Sequence, residues 1–234
     1  MKTPRVAIII PCYNESQTIG EVVAQTKKTF AGQPCQTEII VINDQSSDNS
    51  EKTAQKSGAV VINHILNQGA GAATSTGLSY AKQNHFDWAI TMDADGQHDP
   101  NDALKCLNYA IKNQIDLLIG SRLINTQGMS KVKILGNKGL SFITWALFGV
   151  NVTDSQSGLR VFSKRALNTL EWQSTGYEFC SEMLWRAKQS KLKIAEHPIK
   201  AIYTEYSKTK GQNNWNGVNI VKSLVRRRIT EMFE

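Results

Sequence analysis

The chain has 234 residues, 41% of them hydrophobic, and 27 Lys and Arg against 20 Asp and Glu give it a net charge of +7. That length suits one domain with a sizeable core, and its longest apolar segment, Leu140 to Val150, is about half of the roughly 20 residues needed to span a bilayer. The cysteines at 12, 35, 106 and 180 have neither metal-ligand spacing nor the density of a disulfide framework, and no secretion signal precedes the first apolar run, so a reduced, cytoplasmic protein is expected.

In chain order, Val6 to Ile10 is a continuous apolar run, the pattern of a strand buried on both faces, and Pro11 is expected to end it. A helix over about Glu15 to Phe30 follows, then a strand from Glu38 to Asn43 closed by the turn-forming Asp44 to Asp48 before another helix. Ala59 to Asn63 is a third strand and Gly69 to Lys82 a third helix. Trp88 to Met92 is a fourth strand, which runs into Asp93-Ala94-Asp95-Gly96-Gln97-His98-Asp99-Pro100. A helix from about Asn101 to Asn113 leads to a fifth strand, Asp116 to Gly120. This alternation with short connections predicts an α/β fold, a mostly parallel, Rossmann-like doubly wound sheet with helices on both faces.

After Arg122 the alternation breaks. Ile124 to Lys131 reads as a polar loop over the site, and Lys133 to Val150 as a helix with large apolar residues in its second half. That helix is either buried against the sheet or a surface for lipid. Gly158 to Ser163 and Lys193 to Ile199 read as strands, with a helix over Glu178 to Ser190 between them. From Trp215 onward, Trp215, Val218, Val221, Leu224 or Val225, Ile229 and Met232 recur at helical spacing, with Lys222, Arg226 and Arg227 elsewhere on the wheel. The first 185 residues are electrically neutral, so residues 186–234 carry the whole excess of +7. Nucleic acid, an anionic membrane or a phosphorylated substrate could use such a field.

Polar residues at four strand ends would converge on one edge of the sheet, where open α/β sheets bind ligands. They are Pro11 to Glu15, Asn43-Asp44, Asn67 to Gly71, and Asp93 to Asp95. Asp93, Asp95 and Gln97 offer hard oxygen ligands for Mg²⁺ or Mn²⁺. Asp44 can accept hydrogen bonds from a base or ribose, and Tyr13 can lie against a base. Gly69 and Gly71 would let a phosphate approach a helix N-terminus.

The ordered set PCYNES, ND-x-SSD, NQGAGAA, TMDADGQHDP, GSRL and DSQSGLRVF resembles glycosyltransferase family 2 of GT-A fold, and within it the dolichol-phosphate mannosyltransferase-like enzymes. The resemblance covers about Val6 to Lys210. It implies a single catalytic domain over 1–210 followed by a basic amphipathic helix over 211–234. It also implies transfer of a sugar from a nucleotide sugar to a polyprenyl phosphate, with Mg²⁺ or Mn²⁺ as cofactor. Pro11, Tyr13, Glu15, Asp44 and Asp93 would then hold the nucleotide, while Asp95 and Gln97 bind the metal against the diphosphate. Arg122 and Lys208 would face the phosphates, and Asp154, Gln156, Ser157 and Arg160 would shape the sugar and acceptor side. Catalysis would fall to Asp95, Arg122, Asp154 and Lys208.

A lipid phosphate is already ionised near neutral pH and requires no general base, whereas a hydroxyl acceptor would need one, with Asp154 or Glu182 the candidates. His98 reads as a neighbour of the metal loop. Two departures from the family stand out: Asn43-Asp44-Gln45 replaces two aspartates and a glycine, and Glu205 precedes Tyr206-Ser207-Lys208. The expected location is cytoplasmic and peripheral at the inner face of the membrane, with no nucleic-acid partner. The rivals are a hydroxyl-acceptor transferase of cell-envelope polysaccharide synthesis, a nucleotidyltransferase, and a non-catalytic basic binding module.

Overall fold

The computed structural model describes residues 3–127, 129–203 and 215–230, without the side chains of 215–219, 227, 229 and 230. Its strands are β1 (Arg5–Cys12), β2 (Gln36–Asn43), β3 (Val60–Asn63), β4 (Trp88–Thr91), β5 (Leu117–Ser121), β6 (Arg160–Ser163) and β7 (Ile194–Pro198). They form one sheet in the order β3-β2-β1-β4-β6-β5-β7. The β3-β2-β1-β4 half is parallel throughout, and β5 pairs in parallel with β7. Only β6 runs against its neighbours β4 and β5. That reversal matters for the site. Because β6 starts where the parallel strands end, the segment before it, Asp154 to Leu159, arrives at the same edge as Asp93 and Asp95.

The helices are α1 (Ile19–Phe30), α2 (Ser50–Lys56), α3 (Ala70–Gln83), α4 (Pro100–Asn113), α5 (Lys131–Phe148), α6 (Lys164–Thr169), α7 (Phe179–Gln189) and α8 (Trp215–Thr230). The inner strands of the sheet are buried on both faces, as the unbroken apolar runs predict. Along β1, Ala7 and Ile9 join a core with α3, α6 and α7, while Val6, Ile8, Ile10 and Cys12 join a second core with α1 and α4. Ile220 and Leu224 of α8 are buried in the first core, so the tail docks on the domain. That buried pair differs from the predicted stripe: Ile220 is inside, Val221 borders the site cavity, and Val225 is exposed.

Several boundaries moved for identifiable reasons. β1 runs through Pro11 to Cys12. Ile9 accepts from Met92 on the β4 side, and Cys12 accepts from Asp44 on the β2 side. By the alternation of a strand, Pro11 therefore turns its missing N–H toward β4, whose ladder with β1 has already ended at Thr91. The proline marks the point where β1 and β4 part, and the cleft opens there. α1 starts at Ile19 instead of Glu15, because Asn14 is left-handed at φ 54° and Glu15 to Thr18 form a turn. α5 starts at Lys131, capped by Ser130, whose hydroxyl accepts from the Lys133 N–H. α6, six residues long, is too short for periodicity to reveal.

Candidate active site

A cavity of about 1020 Å³ opens between the C-terminal ends of β1 and β4 and is closed on the far side by α5. Pro11, Tyr13, Glu15, Asp44, Asp93, Asp95, Gln97, Arg122, Gln156 and Arg160 all border it. Asp154 and Ser157, also expected there, do not. Lys208 and the proposed boundary at residue 210 lie outside the described residues.

At the floor, the Asp93 carboxyl accepts from His98 Nε2 at 2.9 Å. Gly158 stands against it: a Cβ at that position would lie 2.2 Å from Asp93 Oδ1, so only glycine admits the carboxylate. Burial disfavours the Asp93 charge, but His98, Arg122 and Arg160 outweigh it and hold its pKa below the usual range. Asp95 goes the other way, raised by burial and then by the charge of Asp93. Two crowded carboxylates of this kind suit a hard divalent cation. Among the described residues no group of three or more His, Cys, Asp or Glu could hold a metal. The pair therefore fits an ion that takes one or two carboxylates and completes its shell with water and substrate phosphate. Gln97 orients Asp95, with its backbone N–H 2.9 Å from Oδ1 and its side-chain amide on Oδ2. Gln97 also borders the cavity, beside the two carboxylates with which the sequence grouped it. His98 is buried beside this loop, in contact with Asp93.

Arg122 follows β5 and is clamped by Asp154, which accepts from its backbone N–H at 3.1 Å, its Nε at 2.7 Å and its Nη2 at 2.9 Å. Asp154 is fully buried, and Glu196 holds its loop through Thr153 and the Asp154 N–H. Asp154 therefore positions Arg122 and does not border the cavity, which departs from its expected place on the acceptor side and among the catalytic residues. The other candidate base fails for a similar reason: Glu182, also fully buried, accepts from the Gln173 and Ser174 N–H groups. Ser157 is structural too, donating to the Gly120 carbonyl at 2.6 Å.

Arg160 is 2% exposed and borders the cavity from below. It donates to the Ser157 and Ser155 carbonyls and lies 5.7 Å from the Phe179 ring centroid. Its charge favours the ionised form of Asp93. Gln156 remains on the cavity wall, its amide donating to Ser155 and Ser181. Cys12 and Cys180 also border the cavity, but burial pushes both thiols up, Cys12 to about 12, so neither supplies a thiolate.

The glycines do something other than expected. Gly71 N–H donates to the Thr175 carbonyl at 2.7 Å. A Cβ at Gly71 would sit 2.5 Å from Ser174 O, and one at Gly69, where φ is +93°, 2.6 Å from Thr175 O. The chain's own 174–175 segment, with no phosphate involved, approaches the start of α3. Asp44 is equally committed, accepting from His64 and from the Gln68 and Gly69 N–H groups. His64 carried no motif signal, and its partnership is visible only in three dimensions.

On the opposite wall, Val132, Lys133, Leu135, Leu140 and Ile143 of α5 border the cavity. Lys133 Nζ lies 4.3 Å from the Tyr203 ring centroid. Val132, Leu135, Phe142 and Trp145 are exposed by 50% or more, while Phe148 and Val150 are buried. The apolar surface thus begins a turn or two earlier than Leu140, at the cavity mouth. Among the described residues no helix is long and apolar enough to cross a membrane.

Comparisons with known proteins agree with this geometry. The family model described as glycosyl transferase family 2 matches residues 7–171. A UDP-N-acetylglucosamine–dolichyl-phosphate N-acetylglucosaminyltransferase of Methanococcus voltae is 41% identical over 240 residues, covering 93% of this chain and 94% of that one. A polyprenol monophosphomannose synthase of Mycolicibacterium smegmatis is 26% identical over 236 residues, 96% of this chain and 86% of that one. The crystal structure of Mycobacterium tuberculosis glucosyl-3-phosphoglycerate synthase with Mn²⁺, UDP-glucose and glycerol 3-phosphate matches with a TM-score of 0.70 at 17% identity. It covers 95% of this chain and 78% of that one, a likeness of fold. A mostly parallel sheet with carboxylates at its parting strands, matched by this family over most of its length, identifies the chain as a glycosyltransferase belonging to glycosyl transferase family 2, of GT-A fold.

Proposed function

We propose that this enzyme is a metal-dependent, inverting glycosyltransferase that moves a sugar from a nucleotide sugar, UDP- or GDP-linked, to a polyprenyl phosphate. One observation carries the reading. A single cavity has a carboxylate pair at its floor and a clamped arginine beside it, its mouth continues into the exposed apolar face of α5, and both acceptor-side base candidates are buried elsewhere.

Pro11, Tyr13, Glu15 and Asp44 would hold the nucleoside. A divalent ion held by Asp93 and Asp95 would supply Lewis-acid charge to the leaving diphosphate. Arg122, already fixed by Asp154, would stabilise the same developing charge without reorganising. The acceptor phosphate oxygen would attack the anomeric carbon as the bond to the diphosphate breaks, releasing a nucleoside diphosphate. Because that oxygen is already anionic, no proton has to be removed, in keeping with the burial of Asp154 and Glu182. Among the described residues, the carboxylates bordering the cavity, Glu15, Asp44, Asp93 and Asp95, all follow β1, β2 and β4. Among those residues the acceptor wall offers no carboxylate nucleophile for a double displacement, which supports inversion.

Lys133 gives the acceptor side a positive charge at the cavity mouth, and Lys208 would add another. Val132, Leu135, Phe142 and Trp145, with the exposed Lys222 and Arg226 of the docked α8, would form a peripheral face for the cytoplasmic leaflet. The dolichyl and polyprenol acceptors in the relatives' names support this assignment. In this reading residues 1–210 are the catalytic domain and 211–234 its basic helix.

The test is transfer itself. With Mn²⁺, a UDP- or GDP-sugar and a short polyprenyl phosphate, the purified protein should yield a glycosyl polyprenyl phosphate and one equivalent of nucleoside diphosphate. Transfer only to neutral hydroxyl acceptors, or release of pyrophosphate from a nucleoside triphosphate, would contradict it.

A further inference from the structure

The base-side carboxylate has almost no free acceptor capacity. Asp44 Oδ1 accepts from His64 Nδ1 at 2.7 Å and from the Gln68 N–H at 2.9 Å, and Oδ2 accepts from the Gly69 N–H at 2.7 Å. A carboxylate has about four acceptor positions, so one remains, on Oδ2. Asp44 is 3% exposed and yet borders the cavity. Behind it His64 is itself held, its Nε2 2.9 Å from Thr76 Oγ1 and its side chain 7% exposed.

The adjoining position adds nothing to the count of carboxylates. Asn43 stands there, its amide nitrogen 2.8 Å from Asn63 Oδ1 and its oxygen accepting from the Ser46 N–H at 3.1 Å. Gln45 completes the arrangement. It is left-handed at φ 59°, a conformation that favours glycine, and its Oε1 accepts from the Asn67 N–H at 3.2 Å. Asn67 in turn donates to the Asp44 carbonyl at 3.2 Å, so the β2–α2 and β3–α3 loops are tied together around Asp44.

We infer that the Thr76–His64–Asp44 chain is a specificity device: it turns Asp44 so that one acceptor position faces the base, selecting uracil over guanine. Uracil offers one ring N–H, flanked by two carbonyls, and one acceptor satisfies it. Guanine presents a ring N–H and an amino group side by side and needs both carboxylate oxygens, one of which His64 and Gln68 already fill. Cytosine lacks that ring N–H: where uracil donates it presents an acceptor nitrogen, and only its amino group beside it can donate, so it fits a carboxylate placed for the ring N–H less well. An unmatched polar group in such a site costs binding heavily. His64 is a positioning residue, acting through Asp44. The inference rests on the reading of the cavity as a nucleotide-sugar site.

The test is calorimetric titration of UDP, CDP and GDP, each with Mn²⁺, into the full chain and into His64→Ala, His64→Asn and Thr76→Val. The wild type should prefer UDP over both others by roughly 30-fold or more. His64→Ala should weaken UDP by about tenfold and narrow its lead over GDP, since one hydrogen bond to the carboxylate and the orientation it imposes are lost. His64→Asn can return an N–H near the Nδ1 position and should restore most of the preference, with Thr76→Val losing least. In transfer assays His64→Ala should raise the donor KM with kcat little changed. Wild-type binding of GDP or CDP as tight as UDP would overturn the inference, and so would an unchanged UDP-to-GDP ratio in His64→Ala. The wild-type ratio stands as a test even if a variant fails to fold. Binding of none of the three nucleotides would overturn the nucleotide-site reading itself, a distinguishable result.

Discussion

The two walls of the cavity are built on opposite plans. On the proposed donor side, contributed by β1, β2, β3 and β4, polar side chains are already engaged with the protein: Asp44 with His64, Asp93 with His98, Asp95 with Gln97. On the proposed acceptor side α5 presents exposed apolar residues, Val132, Leu135, Phe142 and Trp145, with Lys133 at the cavity over an aromatic ring. A preorganised polar wall binds a ligand of fixed shape, because its groups pay little to reorient. An exposed apolar wall suits a long, flexible chain or the surface that holds it. The contrast is what the proposed hydrophilic donor and lipid acceptor would demand of one cavity.

The comparison can be broken most severely on the donor side. Asp95→Asn should lower transfer by about 10²–10³-fold or more, the scale of losing a main electrostatic stabiliser of the transition state, measured as product formed per minute at saturating donor. Asp154→Ala comes next, because it leaves Arg122 without the partner that fixes it. Removing one member of a buried ion pair should cost about 3–5 kcal/mol of stability, read by denaturant unfolding, with transfer falling as well. Leu224→Ala should destabilise the docking of α8 by about 2–5 kcal/mol, the range for truncating a buried leucine, and protease sensitivity near the C-terminus would report it. Phe142→Ser with Trp145→Ser should leave nucleotide binding unchanged and reduce binding to anionic liposomes by roughly tenfold, since each side chain contributes about 1.5–3 kcal/mol only when fully buried. Equal liposome binding by the double variant would remove the membrane role from α5.

Much of the donor wall was legible in the sequence because its signals are local. Asp93 and Asp95 follow directly on an apolar strand, and Gly96 and Pro100 mark where the chain must turn. Strand identity followed from apolar runs buried on both faces, which depend on residue type alone. The roles that changed were those fixed by long-range partners. Asp154 was expected at the acceptor and instead clamps Arg122, 32 residues away. Gly71 was expected under a phosphate and instead receives the Thr175 carbonyl. Glu182 serves the backbone of Gln173 and Ser174, and His64 serves Asp44, 20 residues before it. None of these pairings has a period or a spacing rule, so no pattern in the chain announces them. The departure at Gln45 was visible, but its meaning required the backbone: a left-handed residue held by Asn67.

The most direct test of the donor wall is calorimetric titration of UDP into the wild type and into Asp95→Asn, with and without Mn²⁺. The account predicts tight binding by the wild type that depends on Mn²⁺, and weak binding by Asp95→Asn that Mn²⁺ does not improve. Metal-independent binding of equal strength in both proteins would contradict the assignment of Asp93 and Asp95 as the site of the ion and the diphosphate.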